Sequence, residues 1–416
     1  MSADCVTEKH KALPHASAIR CIPSEVPKPS MAIVVLCIVL VAITLRPGIV
    51  SIGPLLPAII EEMNLNHTQA ALLTSIPTLL MGLLAIPAPW LASRFGRDRV
   101  ILIALLILAA ATGLRTIAGS IVQLFIATAG VGAGIAIAGT LFSSYVKARF
   151  PNRVATFMGL YATAIALGST LAASSTGPLF ETTDSWRWAA GFWVLPTVIA
   201  VGVWAVVERN GYQKGSQGSN RSVPRMPVRN PTAWLIALFF ACNNLVFYAM
   251  IAWLAPMYIE LGKTPTAAGT ILASFTLGFM VANPLFGFIS RSDDRRLVLA
   301  TSASIALMGS LAMAIAPNAI PLIVAPLIAF GTGGAFTLAM TLPLDNAATP
   351  EEASAWTAFV MLHSYIVAAA GPLLIGYLRG VCGDFQLSLW LLVAIGVVML
   401  LVTPFLQPNR HGRKLA

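Results

Sequence analysis

The sequence predicts an all-α membrane protein of twelve transmembrane helices, arranged as two six-helix bundles that repeat one another. Three observations carry that class. The 416 residues are 57% hydrophobic and only 10% charged, with a mean hydropathy of +0.81, a composition foreign to soluble globules. Twelve apolar runs are long enough to cross the ~30 Å hydrocarbon core of a bilayer: 31–60, 69–91, 99–117, 121–143, 154–177, 188–207, 233–259, 267–289, 297–316, 319–342, 355–377 and 386–406. Short motifs also return at a constant spacing of 197 residues. Ser93-Arg94 before Arg99-Val100-Ile101-Leu102 matches Ser290-Arg291 before Arg296-Leu297-Val298-Leu299, and Ala70-Ala71 returns at Ala267-Ala268. Parallel six-span repeats imply a pseudo-two-fold along the membrane normal, with a substrate site at mid-depth between them.

Taken in order, residues 1–30 are polar and rich in Pro, His and Lys, without the short apolar core and small-residue cleavage site of a signal peptide; they read as a cytoplasmic tail. The first bundle occupies 31–207. Its opening span, Met31 to Ile60, carries a single charge, Arg46, sixteenth in the run. At 1.5 Å per residue that is ~22 Å into the membrane, where a charge is costly and marks a functional site. Pro47, Pro54 and Pro57 supply no N–H, so the carbonyls of Ile43, Val50 and Gly53 lose their helical partners. Such carbonyls are tolerated only against protein or a water-filled cavity, which predicts a kinked helix lining a pathway. Thr68 is placed to cap the second span.

Gly130, Gly132 and Gly134 in the fourth span, with Gly331, Gly333 and Gly334 in the tenth, make small-residue faces for close helix approach. The pairs Gly177-Pro178 and Gly371-Pro372 read as kinks in the fifth and eleventh spans. Between the bundles, 208–231 is rich in Gly, Ser, Gln and Pro and reads as a cytoplasmic linker. The second bundle covers 232–406, with Thr264-Pro265 supplying a cap and an N1 proline to the eighth span. A second tail, 407–416, closes the chain.

The net charge of +10 is explained by where the cations stand. With the N-terminus in the cytoplasm, inside segments hold twenty-one of the 26 Lys and Arg, while Arg115, Arg187, Lys263 and Arg379 remain outside. The positive-inside rule then puts both termini in the cytoplasm, and nucleic acid is not needed to account for the charge. The five cysteines form no CxxC and no metal spacing. No GxxxxGK[ST], HExxH or GxSxG occurs and no acids pair within a span, so neither ATP drive, nor a cofactor or metal, nor an enzyme's site is indicated.

All sixteen acids fall in tails, loops or span ends, leaving Arg46 without a permanent anionic partner. A buried unpaired guanidinium invites a ligand, and its planar fork suits a small anion or a polarised group such as nitro or carboxylate. The repeat maps Arg46 onto Asn243, with Asn244 beside it; these amides either face Arg46 across a cavity or bond neighbouring helices. Tyr248 shares the face of Asn244, and Tyr161 of the fifth span is a second aromatic candidate. Trp253 and Tyr365 are weaker ones. His363 of the eleventh span either titrates near neutral pH or sits neutral and hydrogen-bonded.

The loop Leu91 to Arg99, LASRFGRDR, with its weaker copy Ile289 to Arg296, resembles the signature between the second and third helices of the major facilitator superfamily. Leu45-Arg46-Pro47 with Ser51 to Pro57 is similar to the first helix of the cyanate and 2-nitroimidazole transporter family within it. Further similar stretches are Lys147 to Phe150 with Met158 to Tyr161, Tyr248 to Ile259, and Gly333 to Phe336 leading to Leu344-Asp345-Asn346. Pro89 stands where the signature carries a glycine and Ser93 where it carries an acid. The eleventh helix reads Val360-Met361-Leu362-His363 where the family tends to offer a glutamine.

The resemblance implies the major facilitator fold and alternating access in a bacterial inner membrane. It implies a small anionic or heteroaromatic substrate, for which the residue arguments above offer Arg46, Asn243, Asn244, Tyr248, Tyr161 and His363, and it places a cytoplasmic gate at Arg94, Arg97, Asp98 and Arg99. Proton-coupled efflux of a small toxic compound is the alternative, and a membrane-embedded sensor the reading from another class. The expected partners are the substrate, the lipid bilayer and protons where transport is coupled; the chain is read as a monomer.

Overall fold

The computed structural model describes residues 31–150, 153–210, 226–290, 294–347 and 349–406. The tail expectations for 1–30 and 407–416, most of the linker and Arg291 lie outside them. The described chain is almost wholly helical, in the order α1 (Met31–Thr44), α2 (Pro47–Val50), α3 (Ile52–Met63), α4 (His67–Leu83), α5 (Pro87–Phe95), α6 (Arg97–Leu114), α7 (Ile121–Arg149), α8 (Val154–Thr183), α9 (Trp186–Gly191), α10 (Val194–Asn210), α11 (Pro231–Glu260), α12 (Pro265–Ile289), α13 (Arg296–Ile315), α14 (Pro321–Asn346), α15 (Pro350–Cys382) and α16 (Gln386–Val402). Pieces α1 to α3 form the first span, α4 and α5 the second, and α9 and α10 the sixth. Eleven described helices are long and apolar enough to cross a membrane, and twelve when α4 and α5, bent by 64° at Leu84–Ile86, count as one. Their exposed side chains are a lipid-facing band, Leu106, Ile126, Val198, Ile323 and Leu401 among them.

Helices α7, α8 and α15 outrun the apolar segments that predict them, because their polar end residues continue the helix beyond the hydrocarbon. Caps set several starts. Thr264 accepts from the Ala267 N–H with Pro265 at N1, as the sequence implies. The second span differs: Asn66, not Thr68, is the cap, in a reciprocal capping box with Gln69. Thr68 is the second residue of α4, already within the helix.

The two repeats pack alike, α4 and α6 against α7 in one and α12 and α13 against α14 in the other. The glycine faces are where they close. A Cβ at Gly132 would lie 2.6 Å from Pro77 Cα, and one at Gly333 would lie 2.9 Å from Ala282 Cβ. Gly177 and Gly371 do not break their helices. Their missing side chains admit the backbone of the other helix, Pro265–Thr266 against Gly177 and the Leu245 carbonyl against Gly371. Each pair is thus also a point of close helix approach.

Contacts between the halves gather at mid-depth and on the face opposite the linker. There α4 packs on α15, α8 on α12 and α3 on α11. Glu181 takes the Thr266 N–H (3.0 Å) and hydroxyl (2.6 Å) at the start of α12. His67 stacks on Trp253 at 6.0 Å, and Glu260, bonded to Arg379, lies 3.9 Å from its Nε2. On the linker face, α5 turns away and packs on α6 and α7 of its own half.

Candidate functional site

The first span is broken where its prolines require it. Arg46 stands in the gap between α1 and α2, as the N-cap of a four-residue helix whose first residue is Pro47. Its carbonyl accepts from the N–H groups of Ile49 (3.0 Å) and Val50 (3.1 Å), and Pro47 takes Ser51 (3.0 Å). The turn is therefore a closed hydrogen-bonded unit inside an unwound helix. The carbonyl of Ile43, deprived by Pro47 of its partner, abuts Gly168 of α8.

From this gap the half-buried guanidinium crosses between the halves: Nη1 donates to the hydroxyl of Tyr248 at 2.8 Å, and the Tyr248 ring centre lies 5.8 Å from the guanidinium carbon. The expectation of an unpartnered Arg46 is corrected to this extent: a neutral phenol, not an acid, holds it. Tyr248 is 2% exposed. It packs against Tyr365 (6.1 Å between rings) and Phe247, with its hydroxyl 3.7 Å from Met81 Sδ. Tyr161 shares the electrostatic neighbourhood of Arg46 and stacks on Phe142 at 5.0 Å. The site is a cation among phenols, thioether and aromatic rings, and a guanidinium fork is chemically suited to a planar or anionic group.

The asparagines do not meet Arg46. Asn244 donates through Nδ2 to Ser364 Oγ of α15 at 2.7 Å, a bond between neighbouring helices. Asn243 is 0% exposed, and neither side-chain atom has a protein partner. Helical phase puts it with Phe240 and Phe247, which pack on Phe336, Phe275 and Phe279 within the second half. The repeat offset aligns residues in sequence, but one turn further along α11 it is Tyr248 that faces the first half. His363 is likewise drawn elsewhere: Nδ1 lies 2.7 Å from the Phe359 carbonyl, and the ring is held between Phe359 and Trp234 of α11. Its helix backbone and that aromatic pair occupy it, so it is not brought to Arg46. Trp253, with Nε1 on the Pro372 carbonyl at 2.9 Å, belongs to the seal opposite the linker.

At the linker face, Arg97 donates to Asp98 at 2.9 Å and lies over Tyr145, while the Asp98 carbonyl accepts from Trp204 Nε1. Arg94 stacks over Trp90 and Phe95. Arg99 is the third residue of α6. These residues cluster within the first half.

Sequence reasoning misplaced one cation. Charge counting places Arg115 with the cations outside the membrane, yet it is 0% exposed. It sits at the end of α6, where a 3-10 turn, Arg115–Ile117, folds its side chain inward. Nη1 donates to the Gly48 carbonyl at 2.6 Å and Nη2 to Thr128 Oγ1 at 3.4 Å. The signal was its place inside the apolar run 99–117, which a loop residue would not share.

The family model described as Major Facilitator Superfamily matches residues 34–262 and 246–415. The chain belongs to that superfamily. Among curated relatives, it is 31% identical to the cyanate transport protein CynX of Escherichia coli strain K12, covering 88% of this chain and 95% of that one. It is 28% identical to the 2-nitroimidazole transporter of the same strain, covering 88% and 93%. Among solved structures, the crystal structure of D-xylose-proton symporter superposes with a TM-score of 0.75 over 92% of this chain and all of that one, at 14% identity. That likeness carries the fold: a multi-pass major facilitator protein in which Arg46 lies where the halves meet.

Proposed function

We propose that the chain is a secondary transporter of a small anion or small electron-rich planar compound, cyanate-like or nitroimidazole-like, working by alternating access in a bacterial inner membrane. The observation that carries this is the Arg46–Tyr248 bond: the one cation in the broken first helix is held across the two halves by a neutral hydroxyl. A substrate that takes the guanidinium exchanges that bond for its own and so changes what joins the halves. The names of the two relatives support the substrate class. With the linker face cytoplasmic, as the positive-inside rule has it, the seal opposite the linker and the turned-away α5 fit an inward-facing state. The gate on that face is Arg94, Arg97, Asp98 and Arg99, and their neutralisation slows turnover more than it weakens binding. Proton coupling, where present, runs through His363 or the substrate's own ionisation, since no carboxylate stands at mid-membrane among the described residues; otherwise transport is uniport or exchange. Catalysis is not part of the reading.

The test is equilibrium binding of labelled cyanate and of 2-nitroimidazole, with counterflow in proteoliposomes, for wild type, Arg46→Lys and Arg46→Gln. A charge-assisted hydrogen bond contributes ~1.5–3 kcal/mol, so Gln weakens binding at least ~10-fold per bond lost. Lys falls between the two where the fork grips a planar group. Undiminished binding by Arg46→Gln sinks the reading, and a wild type that accelerates no exchange sinks transport of these compounds.

A further inference from the structure

We infer that Arg115 is a positioning residue for the Arg46 site, holding the unwound turn of the first span in the register that presents the guanidinium to the other half. The inference rests on Arg46 being the substrate's charge receptor.

A guanidinium removed from solvent is expensive, and an apolar side chain of similar volume is commonly the more stable choice. Arg115 meets no carboxylate in its described hydrogen bonds, and its Nε has no protein partner. Packing therefore does not call for it. Its strongest bond, 2.6 Å, goes to the carbonyl of Gly48, the second residue of α2 and two residues beyond Arg46. That helix is only Pro47–Val50. A helix so short has no stability of its own and must be held by its surroundings.

The surroundings are specific. A Cβ at Gly48 would lie 2.7 Å from Val131 Cγ1, so α7 sits flush against the turn. Thr128, one helical turn before Val131 on α7, is wholly buried and receives the other arm of Arg115. The guanidinium thus ties α7 to the turn while gripping the turn's backbone with a charge-assisted bond. Since Arg46 and Gly48 share the hydrogen-bonded loop closed by the Arg46 and Pro47 carbonyls, releasing Gly48 lets Arg46 shift relative to Tyr248. Lysine delivers a single point charge where Arg115 spans two acceptors, so it restores one contact and not both. Misplacement by ~1 Å is enough to weaken a charge-assisted contact severely.

The full-length protein in detergent decides the matter with Arg115→Met, Arg115→Lys, Arg46→Gln and the double variant Arg46→Gln/Arg115→Met. Amide hydrogen exchange followed by mass spectrometry reads the turn directly and needs no substrate. Arg115→Met raises exchange at least several-fold in peptides covering 46–52 while the other helices keep theirs, and the melting temperature holds or rises. Arg115→Lys restores part of the protection. Labelled cyanate or 2-nitroimidazole binds Arg115→Met several-fold more weakly, and the same substitution has no further effect once Arg46 is Gln. Unchanged exchange at 46–52, or exchange raised throughout with a lowered melting temperature, overturns the inference. So does a loss of binding that is as large in the Arg46→Gln background. Normal binding by Arg46→Gln fells the site itself, whereas lost binding there with wild-type behaviour of Arg115→Met fells this inference alone.

Discussion

The first and seventh spans hold the same place in two repeats of one bundle, and they are built differently. The first is three pieces, interrupted at Arg46 and again at Ser51; the seventh, α11, runs unbroken for 30 residues. Proline position accounts for it. Pro47 follows Arg46 directly and Pro54 and Pro57 come soon after, whereas α11 has Pro231 at its first position, where no N–H is needed, and Pro256 only in its last turns. The broken helix exposes carbonyls that Gly168 and Arg115 must meet, and the continuous one presents Tyr248 as a rigid post. The contrast teaches that charge and post are divided: the broken helix carries the cation and the continuous helix carries its acceptor.

The largest effect is expected from mending the break. Pro47→Ala returns an N–H to the Ile43 carbonyl, and an interior proline costs a helix about 3 kcal/mol. Continuous winding through residue 46 rotates Arg46 away from Tyr248. Counterflow should fall at least ~10-fold, on the scale of one charge-assisted bond, while the melting temperature holds or rises. Retention of full transport by Pro47→Ala would mean that the break is incidental and that the two helices differ in shape but not in role.

A smaller effect is expected at the post. Tyr248→Phe removes the hydroxyl that accepts from Arg46 but keeps the ring packed on Tyr365 and Phe247. The empty protein should melt a few degrees lower, since a net hydrogen bond to a charged group is worth ~1.5–3 kcal/mol. Substrate supplies the lost acceptor, so the rise in melting temperature on adding ligand should be larger than in wild type. An equal or smaller rise would show that substrate does not replace Tyr248 on the guanidinium.

What the sequence made legible follows the same contrast. Twelve spans, the repeat and the depth of Arg46 were readable because hydrophobic length, motif spacing and proline position are local quantities. The partner of Arg46 was not, because it depends on helical phase: the repeat pointed to Asn243, and the hydroxyl that arrives is Tyr248, five residues on. Arg115 was missed because charge counting treats a cation at a helix end as solvated, while a 3-10 turn can carry it inward. The Asn66 cap differs from Thr68 by two residues, within the range over which capping side chains compete. The Glu181 clasp on Thr266 joins helix ends far apart in the chain, and no local pattern announces it.

The smallest effect on transport is expected at Asn243, the position that the repeat pairs with Arg46. Its amide is 0% exposed, and both side-chain atoms lack a protein partner. It lies on the Phe240–Phe247 face, turned into the second half and not toward the first. An unmatched buried amide costs ~1–3 kcal/mol, and leucine has the same branched set of heavy atoms without the polar ones, in a somewhat larger volume. Asn243→Leu should therefore raise the melting temperature by a few degrees and leave counterflow within about two-fold, because its amide makes no hydrogen bond to the Arg46–Tyr248 pair. Asn244→Leu is the control: it breaks the 2.7 Å bond to Ser364 that ties α11 to α15 and should lower the melting temperature instead. If Asn243→Leu folds and melts normally yet abolishes transport, the amide serves the substrate or the opposite-facing state, and the two repeats share a site after all.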